Sequence, residues 1–200
     1  MDKIAKRLAR ENFVVFNISY SLAPKYHYPA QIEDCRAALL WMRRNADTIK
    51  IDSERIGVWG YSAGGHLAAL LGVMEGNKSD KVKAVVAGST PHDLTLYPAD
   101  ESTIKFLGTT FEKDPELFRK ASPVFNVSAG DPPMFLYHGT WDRIVDLKHT
   151  LDMQQALERA GVMNELHLVK GLGHIPLFLF NSTAVTHGIR FLKQQLQKAK

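Results

Sequence analysis

Apolar residues occur along the chain in short runs that alternate with longer segments of helical periodicity. Five runs have the length and residue types of buried strands, and they occupy residues 13–19, 55–59, 83–88, 134–138 and 165–169. Near-continuous apolar character is typical of strands that are buried on both faces of a parallel sheet. We therefore predict a parallel sheet, with residues 13–19 as one of its buried strands.

Helical periodicity fills most of the segments between these runs. Apolar side chains recur at spacings of three and four in residues 2–11, 30–47, 63–76, 147–160 and 183–198. Strand and helix thus alternate, which predicts an α/β fold with a mostly parallel sheet between layers of helices.

The segment at residues 89–133 lacks this regular alternation. It breaks into short pieces that are separated by turn residues, so we expect an irregular excursion over the sheet. No repeat, low-complexity tract or linker interrupts the chain. We predict a single domain over residues 1–200.

Composition narrows the classes of function. Of the 200 residues 45% are hydrophobic and 23% charged, and the formal charge is +4 without a dense basic stripe, so we expect no nucleic-acid partner. No apolar run approaches the roughly 20 residues that span a bilayer. The lone Cys35 excludes an internal disulfide, and no metal or nucleotide motif is present. We therefore predict neither cofactor nor metal.

The most informative stretch is Gly-Tyr-Ser-Ala-Gly at residues 60–64, which joins an apolar run to an amphipathic helix. A serine at the tip of such a turn has strained backbone, and we expect only very small residues to fit two positions to either side. Ser62 is the predicted nucleophile. Ala63 follows it at the start of the helix, where a free N–H can bind an oxyanion. The alternative is a glycine-rich turn with an idle serine.

Serine needs a base, and the base needs a carboxylate to orient it. Such groups converge at the carboxyl ends of parallel strands. Asp142 follows the fourth apolar run and His174 follows the fifth, after two glycines, so the order Ser, Asp, His is complete. Asp146 is the rival acid, although we expect it to cap the next helix. His66 is interpreted as a packing residue.

At these residues the chain resembles the α/β-hydrolase superfamily, in particular the branch of hormone-sensitive-lipase-like and acetyl-esterase-like esterases. The resemblance is carried by Ser21-Leu22-Ala23-Pro24, Tyr28-Pro29-Ala30, the motif at residues 60–65, His138-Gly139 with Asp142, and Gly173-His174. It implies a three-layer α/β-hydrolase fold. The superfamily's nucleophile, acid and base fall on Ser62, Asp142 and His174, and its first oxyanion donor on Ala63.

One part of the superfamily pattern is missing. The His-Gly-Gly-Gly loop, which supplies further oxyanion amides, does not occur. The resemblance implies that N-terminal strands and this loop are absent, including a strand between residues 13–19 and 55–59. We expect exposed sheet edges there that favour self-association. A signal peptide would be lost with that portion, so a cytoplasmic location is only a default expectation.

The predicted function is hydrolysis of small carboxylic esters, with short acyl chains, through an acyl-enzyme. The same residues would serve an amidase or a peptidase of the prolyl-oligopeptidase type. A non-catalytic binding protein with a hydrolase fold is the alternative from another class, because loss of the oxyanion loop suits such a protein.

Overall fold

A four-stranded parallel sheet lies at the centre of the structure, a computed structural model that describes residues 1–180 and 182–197. Its strands are β1 (Gly57–Tyr61), β2 (Ala84–Gly88), β3 (Met134–Gly139) and β4 (Asn164–Val169). They lie side by side in the order β1-β2-β3-β4, and every pair is parallel. All four carboxyl ends therefore meet at one edge of the sheet, as the predicted convergence of the site residues requires.

Helices connect the strands and cover both faces of the sheet. In the described part of the chain they are α1 (Asp2–Arg10), α2 (Ala30–Arg44), α3 (Ala46–Ile49), α4 (Ala63–Val73), α5 (Glu101–Leu107), α6 (Pro115–Lys120), α7 (Leu147–Arg159), α8 (His174–Phe180) and α9 (Ser182–Leu196). Two short 3₁₀ turns, Lys78–Asp80 and Pro123–Phe125, lie between them.

Two apolar layers hold these helices to the sheet. Val85 on β2 and Leu136 on β3 face a core that they share with α2, α4 and α7. Their chain neighbours Val86 and Phe135 face the opposite core, formed with α1, α8 and α9. Because successive residues of a strand point to opposite faces, a run of apolar residues fills both layers. The prediction of a three-layer α/β fold is confirmed.

The prediction of a buried strand at residues 13–19 is wrong. This segment is irregular, and Val14 is 57% and Ile18 40% exposed. Residues 14–20 make no backbone–backbone hydrogen bond with any other described residue. The apolar run has the composition of a strand, but a strand exists only where a neighbouring backbone pairs with it.

A cleft of about 590 Å³ separates that segment from β1. Its walls come from α1, residues 13–18, α2, α4 and the outer side of β1. The amide of Ser62 donates to the carbonyl of Gly88, and the carbonyl of Ile56 accepts from the amide of Lys83. The backbone N–H and C=O groups of the even-numbered residues of β1 therefore point toward β2. Strand alternation then turns the N–H and C=O groups of Gly57, Trp59 and Tyr61 toward the cleft. The sheet has an open edge here.

Three further differences concern helices. The predicted helix at 30–47 divides at Asn45 into α2 and α3, and the helix predicted to reach residue 76 ends at Val73. Helix α8, directly after β4, was not predicted. Residues 89–133 contain α5, α6 and a 3₁₀ turn, each of seven residues or fewer.

Among the described residues, no helix has the length and apolarity to cross a membrane.

Candidate active site

The turn between β1 and α4 presents Ser62 in strained backbone. Ser62 has φ +53° and ψ −124°, a region that residues with a side chain rarely occupy. Its amide donates to the carbonyl of Gly88 at 2.8 Å, which ties the tip of the turn to the end of β2. The surrounding structure therefore holds the serine in a conformation that it would not adopt alone.

Two glycines make this turn possible, but they are not the two expected. A Cβ on Gly60 would lie 2.0 Å from the carbonyl oxygen of Gly64, and a Cβ on Gly65 would lie 2.1 Å from Thr90 Oγ1. A Cβ on Gly64 would meet no atom within 4 Å apart from its chain neighbours and the backbone of its own helix, because the cleft lies beside it. The requirement for a small residue holds at Gly60 and is wrong at Gly64.

Asp142 lies in the loop after β3, and its carboxylate is completely buried. Oδ1 accepts hydrogen bonds from the amides of Ile144 and Val145, each at 3.0 Å, which leaves Oδ2 for the site. Burial acts to raise the pKa of Asp142, but the hydrogen bonds from His174 and from these two amides outweigh it and lower that pKa to about 2. Asp142 is therefore a carboxylate at neutral pH.

His174 bridges Ser62 and Asp142. Its Nδ1 lies 2.7 Å from Asp142 Oδ2, and its Nε2 lies 2.9 Å from Ser62 Oγ. The imidazole is buried, with the residue 7% exposed. The loop that delivers it needs Gly171, which has φ +77°, and Gly139, where a Cβ would lie 2.2 Å from the carbonyl oxygen of Leu172. The structure thus brings together the three side chains that the sequence predicted.

Tyr61 supports His174 and was not predicted. Its hydroxyl donates to the backbone carbonyl of His174 at 2.6 Å, and the two rings lie 5.1 Å apart between centroids. Burial raises the pKa of Tyr61 to about 12, so the hydroxyl keeps its proton. The sequence signal was the aromatic residue directly before the serine, at a position where the motif allows any residue.

Ala63, the predicted oxyanion donor, is the first residue of α4 and is exposed. Its N–H has no partner among the described residues. An N–H in the first turn of a helix has no intrahelical acceptor, so it is free to bind a developing negative charge beside Ser62.

The rival residues lie outside this hydrogen-bonded chain. Asp146 is the N-cap of α7 and accepts from the amide of Lys148 at 2.8 Å, as expected. His66 is a buried residue of α4, and its Nδ1 lies 2.7 Å from the carbonyl oxygen of Pro91. Both residues have structural contacts that account for their positions. No group of metal-ligating side chains that could hold an ion occurs among residues 1–180 and 182–197.

Comparisons with known proteins show similarity to esterases. The BD-FAE family model matches residues 1–157. Esterase LipC of Mycobacterium tuberculosis (strain ATCC 25618 / H37Rv) is 30% identical over 86% of this chain and 47% of its own length. Arylacetamide deacetylase of Oryctolagus cuniculus is 46% identical over 34% of this chain and 18% of its own length.

Solved structures show the same arrangement of elements. A truncated form of a carbohydrate esterase from gut microbiota superposes with a TM-score of 0.81 at 26% identity, covering 90% of this chain and 73% of that one. The chain spans about half the length of LipC, its first curated relative. Because the family model covers well over half of the chain, the protein belongs to the BD-FAE family, and the superposition shows that it has the α/β-hydrolase fold.

Proposed function

We propose that the protein hydrolyses carboxylic esters, with Ser62 as nucleophile, His174 as general base and acid, and Asp142 as the residue that orients His174. The observation that carries the proposal is the continuous hydrogen-bonded chain from Asp142 Oδ2 through His174 to Ser62 Oγ, at 2.7 and 2.9 Å. Both distances lie within the reach that proton transfer needs. The esterase names of LipC and of the gut carbohydrate esterase support the same class of reaction.

The first half of the reaction forms an acyl-enzyme. Nε2 of His174 takes the hydroxyl proton of Ser62 as Oγ bonds to the ester carbonyl carbon, and the carbonyl oxygen becomes an oxyanion. The N–H of Ala63 donates to that oxyanion. When the tetrahedral intermediate collapses, the carbon–oxygen bond to the alcohol breaks, and the imidazolium gives its proton to the departing alkoxide.

The second half repeats these steps with water. His174 takes a proton from the attacking water, and a second intermediate expels Ser62 Oγ, which recovers its proton as the carboxylic acid leaves. Asp142 remains ionised throughout. Because its charge faces Nδ1, it keeps the proton on that nitrogen and stabilises the imidazolium that forms twice in each turnover.

The segment at residues 89–133 favours substrates with a short acyl group. Its helices α5 and α6 have seven and six residues, so the segment does not form a long helical lid over the site. We propose acetyl to butyryl esters as the preferred class. The likeness to an arylacetamide deacetylase favours a second candidate, hydrolysis of small aryl amides by the same residues.

We also propose that the open edge at β1 promotes self-association. N–H and C=O groups of β1 that have no backbone partner among the described residues line the cleft, beside the exposed apolar side chains of Val14 and Ile18. A strand edge of this kind can pair with another chain.

The test of the proposed function combines a covalent probe with two substrate series. A fluorophosphonate reporter should label the wild-type protein at one residue, and Ser62→Ala should remove the label, whereas Ser19→Ala, a change at an exposed serine, should keep it. Turnover of p-nitrophenyl acetate, butyrate and decanoate should fall with chain length. Turnover of p-nitroacetanilide measures the amide reaction in the same assay.

Labelling that persists in Ser62→Ala would refute the assignment of the nucleophile. A folded wild-type protein that neither takes the label nor turns over any of the four substrates would refute catalysis, and would favour the hydrolase-fold binding protein instead.

A further inference from the structure

A second histidine lies beside Asp142, on the side away from the serine. His138 is near the end of β3, and its side chain is completely buried. Its Nδ1 lies 2.7 Å from Thr150 Oγ1 in α7, and its Nε2 lies 3.0 Å from the carbonyl oxygen of Val145. The same Nε2 is 3.5 Å from Asp142 Oδ2, the oxygen that binds His174.

These contacts fix the tautomer of His138. The carbonyl of Val145 can only accept, so Nε2 must carry a proton and donate to it. In a neutral imidazole Nδ1 is then an acceptor, and the Thr150 hydroxyl supplies the matching donor. Burial lowers the pKa of His138, which agrees with the neutral form. One neutral ring satisfies both of its partners.

The ring also fixes the loop that carries Asp142. His138 holds the carbonyl of Val145, and the amide of the same residue donates to Asp142 Oδ1 at 3.0 Å. The loop from residue 139 to 146 is therefore fastened to the body of the sheet through the His138 side chain. Its Nε2 also lies 3.5 Å from Oδ2, so the oxygen that binds His174 Nδ1 has the edge of a neutral ring as its other neighbour.

We propose that His138, held by Thr150, is the positioning residue that sets the place and charge of Asp142 relative to His174. This inference rests on the proposed function, since it assigns a role within the same site. A neutral His138 leaves the negative charge of Asp142 to His174, whereas a charged or missing ring would compete for that charge or release the loop. His138 does not contact the reacting atoms.

The test uses a series of substitutions on the full chain. His138→Leu removes both ring nitrogens and should lower kcat by about 10- to 100-fold, the size of effect seen when residues that orient the ligands of metal sites are lost, with little change in KM. His138→Gln places an amide donor near the position of Nε2 and should recover most of that loss. His167→Gln, the same change on the half-exposed face of β4, should leave kcat unchanged.

A spectroscopic signal separates positioning from general destabilisation. The proton between His174 Nδ1 and Asp142 should give a strongly deshielded resonance in the wild-type protein. We expect this resonance to weaken or broaden in His138→Leu under conditions where the protein is folded, and to persist in His138→Gln. Full intensity and wild-type kcat in folded His138→Leu would overturn the inference.

Substitutions at Thr150 provide a second and milder test of the same proposal. Thr150→Val is nearly isosteric but removes the hydroxyl donor, whereas Thr150→Ser retains it. Thr150→Val should lower kcat several-fold and shift the deshielded resonance, and Thr150→Ser should not. This pair decides the matter if His138→Leu does not fold, and equal behaviour of the two variants would overturn the inference. If wild-type Ser62 takes no fluorophosphonate label, it is the proposed function that fails.

Discussion

The two sides of strand β1 differ in how completely they are paired. On one side β1 is hydrogen-bonded to β2 from Gly57 to Tyr61, and its end leads into the turn that presents Ser62. On the other side the strand borders a cleft of about 590 Å³ and a segment that forms no strand. The candidate site is closely packed although the neighbouring flank is open.

This difference shows which contacts set the geometry of the site. Ser62, Asp142 and His174 follow β1, β3 and β4, which all belong to the paired part of the sheet. The open flank supplies walls to the cleft and contributes none of the three side chains. Changes in the loops of the paired side should therefore affect the reaction strongly, and changes on the open flank should affect association instead.

The largest effect is expected from Asp142→Asn on the paired side. The amide cannot hold the proton on His174 Nδ1 or stabilise the imidazolium, and in the serine protease triad this change costs about 10⁴ in kcat. Asp146→Asn is the matched control, because asparagine is also a good N-cap for α7 and lies outside the hydrogen-bonded chain. Turnover of p-nitrophenyl butyrate measures both. A crippled Asp146→Asn with an active Asp142→Asn would reverse the assignment of the acid.

Gly60 and Gly64, the two glycines of the Gly-Tyr-Ser-Ala-Gly motif, should respond to substitution in opposite directions. In Gly60→Ala the new Cβ would lie 2.0 Å from backbone, so we expect a loss of about 3 kcal/mol or more in the free energy of unfolding. In Gly64→Ala the Cβ enters open space within α4, and the better helix propensity should add about 0.5–1 kcal/mol. Urea unfolding measures both. Equal destabilisation of the two variants would show that the space beside Gly64 is filled.

Acid should lower the stability of the paired side through His66, a buried residue of α4. Burial lowers the pKa of His66 to about 4, below the 6.5 of an exposed imidazole. Below pH 6.5 His66 binds a proton in the unfolded chain but stays neutral in the folded chain. The free energy of unfolding therefore decreases as the pH falls from 6.5 toward 4. His66 alone should cost about 2 kcal/mol between pH 7.5 and pH 5. Urea titrations should show a smaller loss in His66→Gln; an unchanged loss would locate the sensitivity elsewhere.

The smallest effect concerns the open flank. Val14→Lys combined with Ile18→Lys places two charges beside the cleft, and we expect self-association to weaken about tenfold, or 1.4 kcal/mol. Leu151→Lys combined with Met163→Lys makes the same change in charge at exposed apolar residues elsewhere. Sedimentation velocity over a concentration series compares the three proteins. A wild-type protein that stays monomeric at every concentration would exclude the proposed association.

The sequence was a good guide wherever local pattern and chemistry agree. Four of the five apolar runs form strands, and the loops after them bring Ser62, Asp142 and His174 together, because glycines and strand ends restrict where those side chains can lie. The prediction that Asp146 caps a helix also follows from a local rule, and the structure confirms it.

The features that were missed depend on contacts between elements that only the folded structure shows. Residues 13–19 have strand composition, but pairing requires a second backbone that periodicity cannot reveal. The supports at Tyr61 and His138 need atoms from α8 and α7, and no spacing in the sequence indicates those contacts. Gly64 belongs to a motif, yet only the space around each Cβ shows that Gly60 is the constrained member of the pair.

The contact between Ser62 and His174 joins residues that are 112 positions apart, across all four strands. Under the proposed mechanism, Ser62 becomes reactive only after the last strand has docked and α8 has begun at its proper place. The rate at which the serine acquires a fluorophosphonate label is then a gauge of folding, as well as of catalysis. Added at successive times after dilution from denaturant, the probe would record when the sheet is complete, at a single atom and without a spectroscopic tag.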